Sequence, residues 1–436
     1  MFQSDLIISV PSFQKLHRYL SSALAYRARL GWSFFIFLTD GVLAFATGVI
    51  LARLLGPVQV GAMAAVIAGL SLLNSLFEGG VGTHLTRAVA QDASSFRTHL
   101  AQAMGVRLLY TLPLMLLLAT SLCWLEIIPG TDPFLWTAAG LYLFAMMAYG
   151  TMFSAYSGRQ AFSSWWAAAT PARLLAFLGA VAAAYVLDSI AAAYLLNAIL
   201  ILAALGLIYR HNGCRGLNLN PTQAAAILKA SVPFLLWNLT SGLTLRFDTF
   251  LLGVTRSAYE TGLYTTAYQL FLYLGSICVP LYTLAYPVLA RRYAEDRRRF
   301  REAAWLSLGI MALVSGLAAA FLVTSAPSLI HGIYGQAFAE AVPLASLLGY
   351  ALVPLTLNRI LAAVIIAAHR EWLVAAGSLL SCLVNIGLNL WFIPMYGAIA
   401  AVYTTFISEM FCALVYFLLY AALLNYSHLV HSTYDK

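Results

Sequence analysis

The sequence predicts an all-α integral membrane protein with twelve transmembrane helices, arranged as two parallel six-helix repeats around a central cleft. Three observations lead to this fold class: the composition, the number of long apolar segments and the distribution of basic residues. Of the 436 residues, 62% are hydrophobic and 9% are charged, whereas soluble domains carry about 45–50% apolar and about 25% charged residues. The polar residues are too few to cover a water-soluble globule, which excludes a soluble enzyme, a secreted disulfide scaffold and a disordered chain.

Twelve segments are long and apolar enough to span a bilayer, which takes roughly 20 residues. The first six lie near residues 32–53, 60–78, 104–125, 132–152, 164–185 and 188–209. The second six lie near residues 231–253, 262–287, 304–325, 338–358, 372–392 and 397–421. The predicted organisation is therefore a cytoplasmic N-terminal segment (1–30), an N-terminal bundle (31–209), a cytoplasmic linker (210–229), a C-terminal bundle (230–421) and a cytoplasmic tail (422–436).

Basic residues are distributed very unevenly over the loops between these spans. With the N-terminus in the cytoplasm, 20 of the 24 Lys and Arg residues fall on the inner side and 2, Arg53 and Arg256, fall in outer loops. The other two, Arg173 and Arg246, lie inside spans. Cytoplasmic loops are rich in Lys and Arg, so this distribution supports twelve spans with both ends inside. It also accounts for most of the formal net charge of +8.

The two halves of the chain share an ordered pattern of features. Each has a short turn, a glycine (Gly61 or Gly262), a span, a basic inner loop and a D-x-x-x-F-R string, at 92–97 or 296–301. The common order and spacing favour an internal repeat. Six spans per repeat is an even number, so both halves enter the membrane in the same direction and are related by an axis along the membrane normal. Two such bundles leave a cleft between them.

Several segments resemble a known family of transporters. ILARLLGP from residue 50 and EGGVGTHLTR from residue 78 are similar to the start of Wzx-type polysaccharide flippases, and LRFDTFLLG from residue 245 with ETGLYTTAYQL from residue 260 is similar to the start of their second half. These flippases belong to the multidrug/oligosaccharidyl-lipid/polysaccharide (MOP) exporters, together with MATE drug antiporters and the lipid II flippase. The resemblance extends over most of the chain from about residue 31 to 421.

The resemblance implies a MATE-like fold and a flippase that moves an undecaprenyl-pyrophosphate-linked oligosaccharide from the inner to the outer leaflet, for O-antigen or exopolysaccharide biosynthesis. It implies a bacterial inner membrane location, H⁺ or Na⁺ as a coupling ion, and membrane lipids, glycosyltransferases and a polysaccharide polymerase as partners. No cofactor is expected. The twelve predicted spans are two fewer than expected for lipid II flippases, and the first half has fewer carboxylates than drug antiporters.

Charged residues inside the spans are the candidate functional groups, because an Arg or Asp at a helix centre costs about 2.5–3.5 kcal/mol on insertion scales and usually faces a wet interior. Guanidinium groups bind phosphate in a bidentate manner. A row of arginines along the cleft therefore suits a pyrophosphate head group. The predicted cavity-lining residues are Arg173 and Arg246 inside spans, Arg359 at the inner rim of the tenth span and Tyr268 of the eighth, and the candidates for ion coupling are Asp40, Asp248 and Glu409.

Other interpretations remain open at this stage. The intramembrane arginines and carboxylates can instead pair with one another and lock helices together. A MATE-type cation-coupled antiporter of small molecules is the alternative function, and it predicts a cavity dominated by carboxylates. An enzyme would need long outer loops with catalytic residues, and the outer loops are short. The cysteine and histidine spacings match no metal site, and the basic run 291–301 suits topology and lipid headgroups rather than nucleic acid.

Overall fold

A computed structural model describes residues 12–78, 80–214, 216, 222, 240 and 242–434. Most of the predicted linker 210–229, the first part of the predicted span 231–253 and residues 1–11 of the N-terminal segment lie outside the described residues. The described helices are α1 (Ser12–Glu78), α2 (Val81–Gln91), α3 (Phe96–Val106), α4 (Leu112–Trp124), α5 (Pro133–Gly158), α6 (Phe162–Leu187), α7 (Ile190–His211), α8 (242–255), α9 (Ala258–Ser276), α10 (Val279–Glu295), α11 (Arg297–Leu329), α12 (Ala341–Ala367), α13 (Glu371–Tyr396) and α14 (Ala398–Tyr434).

These helices confirm the predicted fold class, since each of the twelve predicted spans is helical over most of its described residues; the span 262–287 is divided between α9 and α10 by a turn at 277–278. Ten helical stretches of the described residues are long and apolar enough to cross a membrane. One of the ten, Phe34–Leu72, covers most of two predicted spans, which form two arms of α1 joined at a kink at Gly56, where φ is 75°, before Pro57. The α8 stretch is short because only its second part is described. The chain is a multi-pass membrane protein.

Apolar packing divides largely between the two halves of the chain. Two clusters of buried side chains, around Trp136 and Trp165, consist of residues before 215. Two others, around Phe271 and Phe300, consist of residues after 250, except for Ala52. Each half therefore builds its own core. The halves meet mainly where α1 packs on α9.

Hydrogen bonds at the helix ends repeat between the halves. The Gln59 side chain accepts a hydrogen bond of 2.9 Å from the amide of Ile190, the first residue of α7. The Glu260 side chain accepts one of 2.6 Å from the amide of Ala398, the first residue of α14. Residues 59 and 260 are 201 positions apart, as are Gly61 and Gly262. In each half, a side chain of α1 or α9 therefore caps the N-terminus of the last helix, α7 or α14, where amide groups lack partners.

The D-x-x-x-F-R strings have the same structural role in both halves. Asp92 accepts a hydrogen bond of 3.0 Å from the amide of Ser94, and Asp296 accepts one of 2.8 Å from the amide of Arg298. The phenylalanine of each string is buried in the core of its own half. The string thus joins a capping carboxylate to an apolar anchor, at the 3-10 turn that leads into α3 and at the start of α11.

Candidate functional site

The two halves enclose a polar cavity of about 250 Å³. Helices α1, α5, α6 and α7 contribute its lining from the N-terminal half, and α8 and α9 contribute from the C-terminal half. We call it the inter-half cavity. Its lining residues are Ala44, Thr47, Gly48, Leu51, Val60, Ala64, Ile67, Tyr142, Arg173, Ile190, Tyr194, Asn197, Arg246, Thr249, Thr265, Gln269 and Tyr273. Among these residues, the two charged side chains are both arginines, so the lining is cationic.

Arg173 reaches this cavity from the middle of α6 and is held by two neighbouring helices. Its Nε atom lies 3.7 Å from a carboxylate oxygen of Asp40 on α1, and its guanidinium carbon lies 5.3 Å from the centre of the Tyr149 ring on α5. The Tyr149 hydroxyl donates to Asp40, with oxygen–oxygen distances of 2.9 and 3.1 Å. Asp40 therefore holds the arginine in place, and the arginine still lines the cavity.

Arg246 enters the cavity from α8 and stands in a different environment. Its side chain is exposed, and within the described residues it makes no hydrogen bond or ion pair. None of the described residues occupies the five N–H groups of this guanidinium, whose fork geometry matches phosphate oxygens. An arginine that lines a polar cavity and has no hydrogen bond or ion pair among the described residues suits an anionic ligand at this place.

Two further polar groups of the lining have unmet hydrogen-bonding capacity. The Asn197 side chain donates to the carbonyl of Ala176 at 3.1 Å, but its Oδ1 atom is buried without a partner among the described residues. The hydroxyl of Thr265 is also buried without a partner there. Buried polar groups are nearly always hydrogen-bonded, so both side chains retain hydrogen-bonding capacity beside the cavity.

Three tyrosines complete the lining beside these polar groups. The Tyr142 and Tyr194 rings pack edge to face, with centroids 4.7 Å apart and planes at 88°. The Tyr273 ring packs against Phe45 of α1, with a centroid distance of 4.7 Å. The phenol rings offer apolar faces and hydroxyl groups together, a combination that suits sugars.

A second cavity, of about 240 Å³, lies within the C-terminal half. Arg359 of α12 and Glu409 of α14 both line this C-half cavity, together with Thr240, Thr244, Leu245, Leu355, Asn358, Ala362, Val374, Ser378, Ser381, Cys412 and Tyr416. Arg359 lies with its guanidinium carbon 5.8 Å from the centre of the Tyr282 ring. The structure thus brings Arg173 and Arg246 into one cavity and places Arg359 in the other.

Two other predicted residues, Tyr268 and Asp248, are buried beside the cavities without lining them. Tyr268 is buried in the C-terminal core. The centre of its ring lies 5.5 Å from that of Tyr264, in a stacked arrangement, and 5.5 Å from that of Phe271, in a tilted one. Asp248 is buried and accepts hydrogen bonds from the Thr249 amide at 2.6 Å and from the Tyr264 hydroxyl. Tyr268 and Asp248 line neither cavity. A larger groove of about 490 Å³ at the ends of α4 and α5 contains no charged side chain.

Sequence reasoning missed the uncharged polar groups of the inter-half cavity. Asn197, Thr265 and Gln269 lie inside predicted spans, and Asn and Gln are costly there without partners. The sequence offers one signal for such groups: Asn197 is an amide side chain in the mostly apolar run AAAYLLNAILIL. Thr265 gave none, because a threonine in a membrane helix ordinarily bonds to a carbonyl of its own helix, as Thr266 does to Gly262 at 2.9 Å.

Comparison with known proteins supports a transporter. Residues 50–343 match the family described as "Polysaccharide biosynthesis protein". The fold is similar to that of the lipid II flippase MurJ in an inward closed conformation, with a TM-score of 0.71, 14% identity and coverage of 90% of this chain and 87% of that one. It is also similar to an inward-facing multidrug resistance MATE family transporter of the MOP superfamily, with a TM-score of 0.63, 14% identity and coverage of 88% and 94%.

A third solved structure shares the fold more distantly. It is a MOP superfamily transporter from Pyrococcus furiosus whose binding pocket is described as having a reverse polarity that suggests a different function. Its TM-score is 0.51 and its identity 15%, with coverage of 91% of this chain and 93% of that one. No curated protein matches the chain in sequence. At these identities the structural likeness establishes the fold alone, and the family match carries the relationship.

Proposed function

The chain belongs to the polysaccharide biosynthesis protein family, with the fold of MOP superfamily transporters, and we propose that it is a flippase for an undecaprenyl-pyrophosphate-linked oligosaccharide. It moves this lipid from the inner to the outer leaflet by alternating access, for the biosynthesis of a cell-surface polysaccharide such as O-antigen or exopolysaccharide. The observation that carries the proposal is the cationic inter-half cavity, with Arg246 unpaired among the described residues.

The chemistry of the lining matches the two parts of such a head group. Arg246 offers an unpaired fork of donors for the pyrophosphate, with Arg173 adding a second positive charge in the same cavity. Hydrogen bonds to charged groups contribute about 1.5–3 kcal/mol each. Asn197 Oδ1 is a buried acceptor for a sugar hydroxyl, and Thr265 can donate or accept. The lipid tail stays in the bilayer between the halves, since only the polar head group needs a hydrated path.

The size of the cavity limits what it encloses at one time. Pockets for drug-sized ligands usually measure about 300–1,000 Å³, and the inter-half cavity measures about 250 Å³. It therefore suits the pyrophosphate with the first sugar, and the rest of the glycan requires the halves to separate. In this proposal the arginine side of the cavity recognises the part of the substrate that all glycans share.

We place the protein in a bacterial inner membrane with both termini in the cytoplasm, on the strength of the loop charges. Glycosyltransferases that build the lipid-linked glycan and a polymerase that consumes it are the expected partners. Single-cysteine variants with a membrane-impermeant thiol reagent test the topology: Ser95→Cys, between α2 and α3, should react only from the cytoplasmic side. Labelling from the outside would contradict the proposed orientation.

Purified protein in liposomes tests the function directly. The lipid-linked oligosaccharide is placed in one leaflet, and an impermeant sugar-modifying enzyme measures its appearance on the other side. Protein-dependent translocation supports the proposal. A MATE-type antiporter is the other candidate function, suggested by the MATE-like fold, and it predicts uptake of cationic drugs with no effect on the lipid. The cationic lining argues against it, because two arginines would repel such drugs.

A further inference from the structure

The C-half cavity contains the Glu409 carboxyl group beside the Asn358 amide. One acceptor of this pair has no donor among the described residues. The Asn358 amide nitrogen donates to Oε2 of Glu409 at 2.7 Å and to the Glu409 carbonyl at 3.0 Å. Both partners are acceptors, which fixes the orientation of the amide. The other end of the amide, Asn358 Oδ1, is buried and has no hydrogen-bond partner among the described residues. The Asn358 side chain as a whole is 7% exposed.

We propose that Glu409 and Asn358 form a proton-binding site within the C-terminal half, separate from the substrate cavity, which couples transport to proton movement. A proton on the free oxygen of Glu409 turns that oxygen into a donor. A carboxylic acid and a primary amide can then pair through two hydrogen bonds, one in each direction, and Asn358 Oδ1 gains the donor that it lacks. The coupling role rests on the proposed function, whereas the proton site itself does not.

The groups around Glu409 are compatible with this assignment. Arg359 lines the same cavity but forms no ion pair with Glu409 and lies beside the Tyr282 ring instead. The other titratable side chains that face Glu409 are Cys412 and Tyr416 of α14 and Tyr268 of α9. The described lining from α8 and α13 consists of apolar side chains and hydroxyls. Arg359 is therefore the one permanent charge beside Glu409 among the described lining residues.

A proton suits this site better than a metal ion. Hard cations take a shell of six or more oxygen ligands, and here one carboxylate oxygen already accepts from Asn358. The nearby hydroxyls donate elsewhere or share a hydrogen: Ser381 donates to the carbonyl of Ser408 at 3.0 Å, and Ser378 and Tyr416 hydroxyls lie 2.6 Å apart. The positive charge of Arg359 also opposes a second cation, whereas a proton only neutralises the carboxylate.

Infrared difference spectroscopy on the reconstituted full-length protein, without substrate, tests the site. We expect a carboxylic acid C=O band at neutral pH that is lost in Glu409→Gln and shifts to higher frequency in Asn358→Leu, where the acid loses its amide partner. Glu371→Gln, which changes an exposed carboxylate at the start of α13, should leave the band unchanged. Absence of the band in the wild type, or its loss on adding NaCl at constant ionic strength, would overturn the proton site.

Proteoliposomes loaded with a pH-sensitive dye test the coupling. The wild type should move protons only when the lipid-linked oligosaccharide is added, and Glu409→Gln should lose this proton flux while it still binds the lipid. Glu371→Gln serves again as the control. Substrate-dependent flux in Glu409→Gln equal to that of the wild type would contradict the coupling. If no lipid is moved by any variant, the proposed function fails, and the infrared result still decides the site.

Discussion

Gly61 of α1 and Gly262 of α9 lie back to back where the two halves of the protein cross. A Cβ atom on Gly61 would overlap the carbonyl oxygen of Ala258, and a Cβ atom on Gly262 would overlap the carbonyl oxygen of Pro57. Residues 57 and 258 are 201 positions apart, as are the two glycines. The contact is therefore symmetric, and the axis that relates the two repeats passes through this crossing.

The first prediction is that either glycine is intolerant of alanine. Gly61→Ala and Gly262→Ala should each lower the stability by about 1–3 kcal/mol, the usual cost of overpacking, and by similar amounts because their surroundings are equivalent. Gly309→Ala is the control, since a Cβ atom there meets nothing within 4 Å. Thermal unfolding of the purified protein in detergent measures the effect. Equal midpoints for all three variants would show that the crossing relaxes freely.

The second prediction concerns substrate affinity at Arg246. Arg246→Gln should weaken binding of undecaprenyl pyrophosphate roughly 10- to 100-fold, since a hydrogen bond to a charged group contributes about 1.5–3 kcal/mol. Unfolding should be unaffected, because this side chain has no hydrogen bond or ion pair among the described residues. Arg298→Gln, at an exposed i,i+4 pair with Glu302, controls for overall charge. Titration of the lipid into detergent-solubilised protein gives the affinity, and an unchanged value would remove Arg246 from the site.

The third prediction compares two adjacent threonines, Thr265 of the inter-half cavity and Thr266 of the core. Thr265→Val removes a buried hydroxyl that has no partner within the described residues, so stability should stay the same or rise slightly. Binding of the lipid-linked glycan should weaken, by about 0.5–1.5 kcal/mol for one neutral hydrogen bond. The adjacent Thr266→Val loses a hydrogen bond to Gly262 inside the core and should leave binding unchanged. The affinity of each variant is measured for glycosylated and for sugar-free lipid, which shows whether Thr265 contacts sugar. Equal losses of affinity for both lipids would exclude such a contact.

The fourth prediction concerns acid sensitivity of the turn before α3. Hydrogen bonds from the hydroxyls of Ser94 and Ser95 lower the pKa of Asp92 from 3.8 to about 2. Because the folded pKa is depressed, the cap is fully present above pH 3.8 and is lost as the pH falls towards 2. The amides of Ser94 and Ser95, in the turn before α3, should therefore show protection from hydrogen exchange that is constant from neutral pH down to about pH 4.

The variant Asp92→Asn provides the comparison for this turn. An asparagine cannot accept from both serines and the amide as a carboxylate does, so protection should fall at all pH values. Asp296→Asn should reduce protection at the start of α11 instead, because Asp296 caps that helix. Loss of wild-type protection already near neutral pH would mean that another group controls the turn.

The sequence alone determined the overall architecture. Span number followed from long apolar runs, and the repeat followed from the offset of Gly61 and Gly262, which the structure explains as one symmetric contact. The D-x-x-x-F-R strings also acquired a physical meaning, since Asp92 and Asp296 both cap helices. These features are encoded locally, in composition, in turn residues and in capping groups, and local sequence therefore suffices to find them.

Which polar residues share a cavity was decided only by the tertiary structure. The sequence places Arg173 and Arg246 inside spans and Arg359 at the inner end of one, but it does not show that the first two line the inter-half cavity and the third lines the C-half cavity. Lipid tails are as apolar as a protein core, so a spanning helix is hydrophobic on all sides and its sequence does not reveal which face turns inward. The rotation of each helix is set by its packing against neighbours distant in sequence, and that rotation is what brings Arg246, Asn197 and Thr265 together.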